Sequence, residues 1–425
     1  MQARLVRAVD HPTQACKSTS TMPDLPQELI DRIIDEISQC DSTHDLRTCC
    51  LVQKRWVERS RRHLFKEISL YATDHFRDWI RLIPLGSNGP YHHVRSLTYR
   101  QGPAVLGPKQ LLDLYQEHFT SFTRLESLRI FNLSLRRFTS TSMQKAFGPV
   151  GRFVRTLVVK DVVLTLNSLL TFLVYFPRLE SLYLGDNLNM VPEKRKQPPN
   201  LPSLMGELVL VSMGSVHRPF VLELSRLPLR YSELDVEFRW NSEILNAVAH
   251  LILTCSPTLE KLTLRYARAL FAEGKLTISN SSHDSTHSRL AWLFTDTDEP
   301  FPLDLKSCAL LRKFTVQVPK REAQEHLVRL LGTIRSHKLE TIEFIGPANS
   351  VHLSTWVMVD DELCALVDRL EEDGWKGKLR VVLHHSELRK DAIEEGQLLA
   401  EFRTKGEVIE SVDNRLEMLW ESYWY

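Results

Sequence analysis

After a polar leader over residues 1–22, the apolar residues of the segment 23–70 recur three and four positions apart, the spacing of helices rather than strands. Three short helices account for them. The first carries Leu29, Ile30, Ile33, Ile34 and Ile37 as one broad apolar stripe, with Gln27, Asp31, Arg32, Asp35 and Glu36 on the wet side. Pro26 suits its first turn, where an amide N–H would have no helical partner in any case. Asp41, Ser42 or Thr43 can cap a second helix bearing Leu46, Cys49, Cys50 and Val52, and a third presents Trp56, Val57, Ser60 and Leu64 on one side. Phe65 and Ile68 are expected to close the unit. A piece of roughly 45 residues lies near the lower limit at which a domain holds together without disulfide, metal or partner, and a partner is the simplest expectation.

From Val94 onward a different pattern returns, in which one apolar residue is followed three and five positions later by two more: Val94, Leu97, Tyr99; Leu125, Leu128, Ile130; Val154, Leu157, Val159; Leu179, Leu182, Leu184. Further copies begin at Met205, Tyr231, Leu259, Leu311 and Leu339. Most recur at roughly 25 to 31 residues, close to the period of leucine-rich repeats. Between them the segments 109–119, 167–176, 242–254 and 322–334 have helical spacing, so strand, turn and helix alternate. Only 179–187 completes the repeat pattern with its loop asparagine, Asn187. The copies are therefore degenerate, and an ordinary α/β domain stays an alternative. The expected class is α/β: the helical unit over 23–70, then an irregular leucine-rich-repeat-like solenoid over 71–425 with a mobile insertion near 272–300. There the distance between copies doubles from Leu262 to Phe314, and Ser, Thr, His and Asp crowd together. Either a disguised repeat or a protruding loop fills that length. At the end of the chain Leu416, Leu419, Trp420, Tyr423 and Trp424 recur at helical spacing and are expected to cap the array, whose last repeat would otherwise leave an apolar face uncovered.

Alternation along each strand turns the residues between the paired apolar positions to the other face, expected to be concave and the place of binding. In this register the face presents Arg100, Arg129, Phe131, Lys160 and Tyr183, then Glu233, Asp235 and Glu237 with Arg239, then Lys261 and Arg265. Arg129, Tyr183, Glu233, Asp235, Glu237 and Arg265 are the candidate target-binding residues. The three carboxylates are expected to form a negative patch that selects a basic segment.

The helical unit also carries a motif. L-P-x-E-L-I-x-x-I-I-x-x-I, D-L-x-x-C-x-x-V-x-K-x-W and L-F-x-x-I, with Leu25, Pro26, Glu28, Leu29, Ile33, Ile37, Leu46, Cys49, Val52, Trp56, Leu64 and Ile68 at the framework positions, resemble the F-box. The polar, slightly long connection 38–43 departs from that pattern. The resemblance implies docking on a Skp-type adaptor that links the chain to cullin and RING subunits, with Leu25, Pro26, Leu29, Ile33, Leu46, Val52 and Trp56 as adaptor-binding residues. It implies a substrate-recognition subunit of an SCF-type cullin-RING ubiquitin ligase. An adaptor-binding scaffold that delivers no substrate is the alternative.

Charge and chemistry narrow this further. Lys and Arg total 54 against 53 Asp and Glu, so no net field draws the chain to nucleic acid or an anionic membrane. Seven cysteines without a C-x-x-C pair suit reduced thiols in the cytosol or nucleus. The first residues lack the apolar core of a signal peptide, and the apolar run 162–176 is interrupted by Thr165, Asn167, Ser168 and Thr171, so neither secretion nor membrane spanning is expected. The common phosphate-loop, dinucleotide, nucleophile-elbow, zinc and EF-hand motifs are missing, and no enzymatic activity, cofactor or metal is expected. His92–His93 and His384–His385 are read as surface or loop pairs. Asp360, Asp361 and Glu362 are read as opening a helix, where negative charge suits the N-terminal dipole.

Overall fold

The structure, a computed structural model, describes residues 25–40, 43–71, 78–79, 90–100, 121–185, 188–190, 205–214, 217–227, 230–238, 242–266, 303–317, 324–345, 353–385 and 399–412. Two compact units divide between Lys66 and Glu67.

The first unit contains α1 (Gln27–Gln39), α2 (Thr43–Val52) and α3 (Lys54–Leu64). Pro26 stands just before α1, and its carbonyl accepts from the amides of Leu29 and Ile30 at 3.1 and 3.2 Å. The core is small: Ile30, Ile34 and Leu46, with Ile37, Trp56 and Leu64 packed partly buried around them. Its polar side is tied by Asp35, whose carboxylate accepts from Arg59 Nε at 2.7 Å and meets His63 Nε2 at 2.8 Å, joining α1 to α3. Ile68 does not close this unit. It begins the core of the second, because Glu67–Tyr71 is a strand.

That strand, β1 (Glu67–Tyr71), opens a series: β2 (Ser96–Arg100), β3 (Ser127–Phe131), β4 (Thr156–Lys160), β5 (Val163–Leu164), β6 (Ser181–Gly185), β7 (Asn189–Met190), β8 (Met205–Met213), β9 (Arg230–Phe238), β10 (Lys261–Tyr266), β11 (Lys313–Gln317), β12 (Thr341–Ile345), β13 (Arg380–His385) and β14 (Glu407–Val412). All but β5 and β7, which pair with each other, form one open twelve-stranded sheet whose spatial order is the chain order. Every pairing is parallel. The intervening helices are α4 (Ser140–Gly151), α5 (Leu166–Leu173), α6 (Arg218–Leu224), α7 (Ser242–Cys255), α8 (Gln324–Thr333), α9 (Leu353–Glu372) and α10 (Phe402–Lys405).

Burial decides between the two α/β readings. A doubly wound parallel sheet is covered on both faces and its strands are buried throughout, whereas here β2, β4 and β12 alternate buried and half-buried residues. In these strands one face is the more buried, although the outward residues Val209, Thr315 and Val382 of β8, β11 and β13 are buried as well. The paired apolar positions lie in register from strand to strand, Leu128 against Leu157 against Leu182, then Leu208 against Leu234 against Leu262, and all are buried. Each fully buried leucine contributes about 1.5–3 kcal/mol of transfer free energy, repeated at every rung. The repeat-like array of the sequence is thus a one-sided α/β stack, extended by β1, β13 and β14 beyond the recognised copies.

Local chemistry explains several boundaries. The polar residues that interrupt the apolar run 162–176 begin α5: Thr165 Oγ1 accepts from the Ser168 amide at 3.1 Å, and the Ser168 hydroxyl accepts from the Thr165 amide at 2.9 Å, a reciprocal capping box. The second residue of β8, Gly206, has φ +90°, and an added Cβ there would lie 2.1 Å from the Glu180 carbonyl oxygen. β10 pairs directly with β11, Leu262 opposite Phe314, so no further strand enters the ladder between them despite the doubled distance. The segments 109–119, 272–300 and 416–425, together with Asn187 and Arg239, lie outside the described residues.

One helix departs from expectation. Asp360 does not open a helix but lies within α9, almost fully buried, and its carboxylate accepts from the amides of Glu401 at 3.0 Å and Phe402 at 2.8 Å. It caps α10, because a buried carboxylate needs donors and the unpaired amides of a helix start supply them.

Candidate binding surfaces

The stripe expected on α1 splits into two. Ile30 and Ile34 turn inward at 2% and 0% exposure, while Leu29 and Ile33 remain 47% and 39% exposed, and Leu25 is 42% exposed. Residues four apart share a helix face, so Leu29 and Ile33 lie along one side of α1, and Leu25 stands exposed just before its start. Leu51 and Val52, at the end of α2, are more exposed still. Five of the nine exposed large apolar side chains among the described residues thus belong to this one small unit. Leu46, expected on the adaptor surface, is instead buried in the core between the helices, and Trp56 packs half-buried against that core. Leu51 escaped the sequence reading because it lies off the repeating apolar spacing of α2. Burial pushes the Cys49 thiol up, making it a packing residue rather than a nucleophile.

On the sheet, strand register lays the outward residues in three rows. The middle row runs Thr98, Arg129, Val158, Tyr183, Val209, Asp235, Thr263, Thr315, Glu343. Arg129, Tyr183 and Asp235 therefore share one row, and Glu237 and Arg265 stand opposite each other in the next. Glu233 belongs to the first row, opposite Lys261.

The predicted negative patch is not left open. Lys261 Nζ donates to Glu233 at 2.6 Å, Arg265 forms a two-pronged pair with Asp235 at 2.9 and 3.0 Å, and Arg265 also reaches Glu237 at 3.5 Å. Each partner sits on the adjoining strand, which brings together charges about thirty residues apart. Burial raises the Asp235 carboxyl above its ordinary range, opposed by the Arg265 charge and hydrogen bonds. Farther along, Lys313 meets Glu343 at 2.7 Å, and the Thr315 hydroxyl donates to the same carboxylate at 3.1 Å. A ladder of exposed pairs edges the strand starts, Arg95–Glu126, Arg155–Glu180 and Arg380–Glu407 among them, each worth about 0–1 kcal/mol.

The earlier strands differ. Arg100 lies over the Phe131 ring at 5.5 Å and Lys160 over the Tyr183 ring at 4.6 Å, while Arg129 is exposed. His92 and His93 occupy a short 3₁₀ turn outside the strands with ring centroids 3.7 Å apart; His92 is half-buried, and His93 is buried rather than on the surface. His384 faces Glu343 at 3.8 Å. No helix among the described residues is long and apolar enough to cross a membrane.

No family model and no curated protein matches the chain. Similar solved structures include the following two. A protein of Bacteroides fragilis aligns with 12% identity and TM-score 0.34, covering 82% of this chain and 74% of its own. The yeast Rad7 and Elc1 complex aligns with 11% identity and TM-score 0.34, covering 88% and 87%. Neither assigns this chain to a family.

Proposed function

We propose that the chain is a non-enzymatic substrate-recognition subunit of an SCF-type cullin-RING ubiquitin ligase, in which the helical unit docks a Skp-type adaptor and the uncovered sheet face takes the target. The observation that carries the reading is the exposed apolar set Leu25, Leu29 and Ile33 on a unit whose own core is only Ile30, Ile34 and Leu46. An apolar set of that kind costs solvation until a partner covers it, and a unit so small gains stability from the same partner. The F-box-like order of those residues names the partner class. Ubiquitin transfer then belongs to other subunits, and this chain contributes proximity. Burial raises the thiols of Cys255 and Cys308 to about 12 and about 11, which suits inert, reduced core cysteines in the cytosol or nucleus.

The test is affinity purification under ligase inhibition, comparing the wild-type chain with a Leu25→Ala, Pro26→Ala double variant. Wild type is expected to bring down adaptor, cullin and RING subunit, and the variant to lose them, its affinity weakened by about 1–3 kcal/mol. Undiminished adaptor recovery with the variant rejects the docking surface. Recovery of the adaptor without cullin points to a scaffold instead.

A further inference from the structure

We infer that the strand-start edge of β3, β4, β6, β8 and β9 binds an acidic segment of a partner protein, held in polyproline II conformation with a carboxylate at every third residue. This edge is separate from the uncovered face to which the receptor reading assigns the target, and the inference does not depend on that reading.

One position of the repeat supplies the cations. Arg124 stands just before Leu125, Arg178 just before Leu179 and Arg230 just before Tyr231, in each case ahead of the first apolar residue of its copy. Between the first two, Arg152 lies two residues before Val154, with its guanidinium over the neighbouring Phe153 ring at 4.6 Å. All four arginines are exposed, and none makes an ion pair among the described residues. The carboxylates closest along the chain are already occupied. Glu126, Glu180 and Glu233 follow Arg124, Arg178 and Arg230 by two or three residues, yet they meet Arg95 at 2.7 Å, Arg155 at 3.1 Å and Lys261 at 2.6 Å, each from an adjoining repeat. The edge therefore keeps its positive charge after its own acids have been paired.

Register supplies the spacing. The Arg155 amide donates to the Glu126 carbonyl at 2.8 Å and the Glu180 amide to the Arg155 carbonyl at 2.8 Å, which holds these repeats level just ahead of their strands. Arg230 pairs with Met205 at the start of β8. Two strand steps lead from Arg124 on the β3 copy to Arg178 on the β6 copy, and two more, through β8, lead to Arg230. At about 4.8 Å per step, each interval is about 10 Å. A polyproline II segment rises about 3.1 Å per residue with three residues per turn, so every third side chain returns to the same side after about 9 Å. Three carboxylates so spaced meet the three arginines in order, and each guanidinium offers a fork of donors to a carboxylate. Nucleic acid fits this edge less well: Glu126 and Glu180 interrupt the track of positive charge, and a formal charge of only +1 gives no long-range attraction to a polyanion.

The test uses the full chain and three fluorescent peptides read by anisotropy at low salt: Gly-Glu-Pro-Pro-Glu-Pro-Pro-Glu-Gly, its Gln-for-Glu counterpart, and Gly-Pro-Pro-Glu-Glu-Glu-Pro-Pro-Gly, in which the acids are contiguous. A single-stranded RNA oligonucleotide is titrated alongside, and a melting curve is recorded for every variant. The spaced Glu peptide is expected to bind wild type about tenfold more tightly than the Gln peptide, several-fold more tightly than the contiguous one, and to weaken as salt rises. Arg124→Gln, Arg178→Gln and Arg230→Gln should each weaken it several-fold with an unchanged melt, while Arg178→Lys, which keeps the charge, should retain most of the binding. Arg380→Gln, on β13, should leave it intact. If the spaced Glu and Gln peptides bind alike, or if the three Gln variants bind like wild type, the inference falls. Equal binding of the contiguous peptide overturns the polyproline II spacing, and tighter binding of RNA overturns the choice of a protein partner. Adaptor binding plays no part in this readout, so neither result bears on the receptor reading.

Discussion

Replacing Leu29 and Ile33 together by alanine separates docking from folding, because the two residues share α1 with Ile30 and Ile34 yet sit about 100° round the helix from them and stay far more exposed. Full burial of a leucine or isoleucine is worth about 1.5–3 kcal/mol. With 47% and 39% of each residue still exposed, a partner that covers the remainder gains about 0.7–1.4 kcal/mol from Leu29 and about 0.6–1.2 kcal/mol from Ile33 on the same scale. The pair together amounts to about 1.3–2.6 kcal/mol, which converts to roughly a tenfold to seventyfold weaker dissociation constant at 1.4 kcal/mol per decade. The cost to folding should stay near 1 kcal/mol per site, since only half of each side chain packs internally. Ile34→Ala provides the contrast: at 0% exposure it should cost about 2–5 kcal/mol of stability, enough to unfold a unit with so small a core. Calorimetric titration of a Skp-type adaptor into each purified chain measures the first effect, and loss of helical circular dichroism the second. A folded Leu29→Ala, Ile33→Ala chain that binds the adaptor within twofold of wild type would refute the reasoning.

Three further predictions concern stability. Hydrogen bonds from Arg59, aided by His63, lower the Asp35 carboxyl to about 2, below its unfolded value near 3.9. Its contribution is therefore present above pH 4 and lost as pH falls toward 2. Asp35→Asn should cost about 0.2–1 kcal/mol at neutral pH and flatten that acid dependence, read by hydrogen exchange of residues 27–39 across the same range. Burial raises the Asp235 carboxyl in the folded state, so its ionisation weakens folding as pH rises through the interval between its unfolded and folded values. Arg265→Met should widen this interval, matching wild-type stability near pH 4 and losing about 1–3 kcal/mol by pH 7; an equal deficit at both pH values would show that lost packing, not the ion pair, is responsible. Gly206→Ala should lower the melting temperature by several degrees, since φ +90° costs a residue with a Cβ about 1–2 kcal/mol and that Cβ would collide with the Glu180 carbonyl; an unchanged melt would show that β8 relaxes freely.

What the sequence determined by itself was periodic and local. Apolar residues three and five apart mark a strand wherever they fall, as Leu182 and Leu184 show, because the side-chain period of two is a property of one strand alone. The helices α5, α7 and α8 are legible for the corresponding reason, and Thr165 with Ser168 even marks where α5 starts. Tertiary structure decided everything that depends on a second element. The choice of Ile30 and Ile34 rather than Leu29 and Ile33 for the core follows from how α1 meets its neighbours, since both pairs are equally apolar and only a rotation of roughly 100° per residue separates them. Asp360 caps amides some forty residues downstream, a partnership no local pattern encodes. The acids of β9 looked like a patch when read along their own strand, but Lys261 and Arg265 neutralise them from the next one. Charge interacts across about 3 Å in space, and parallel register places residues that close together while the chain holds them a whole repeat apart.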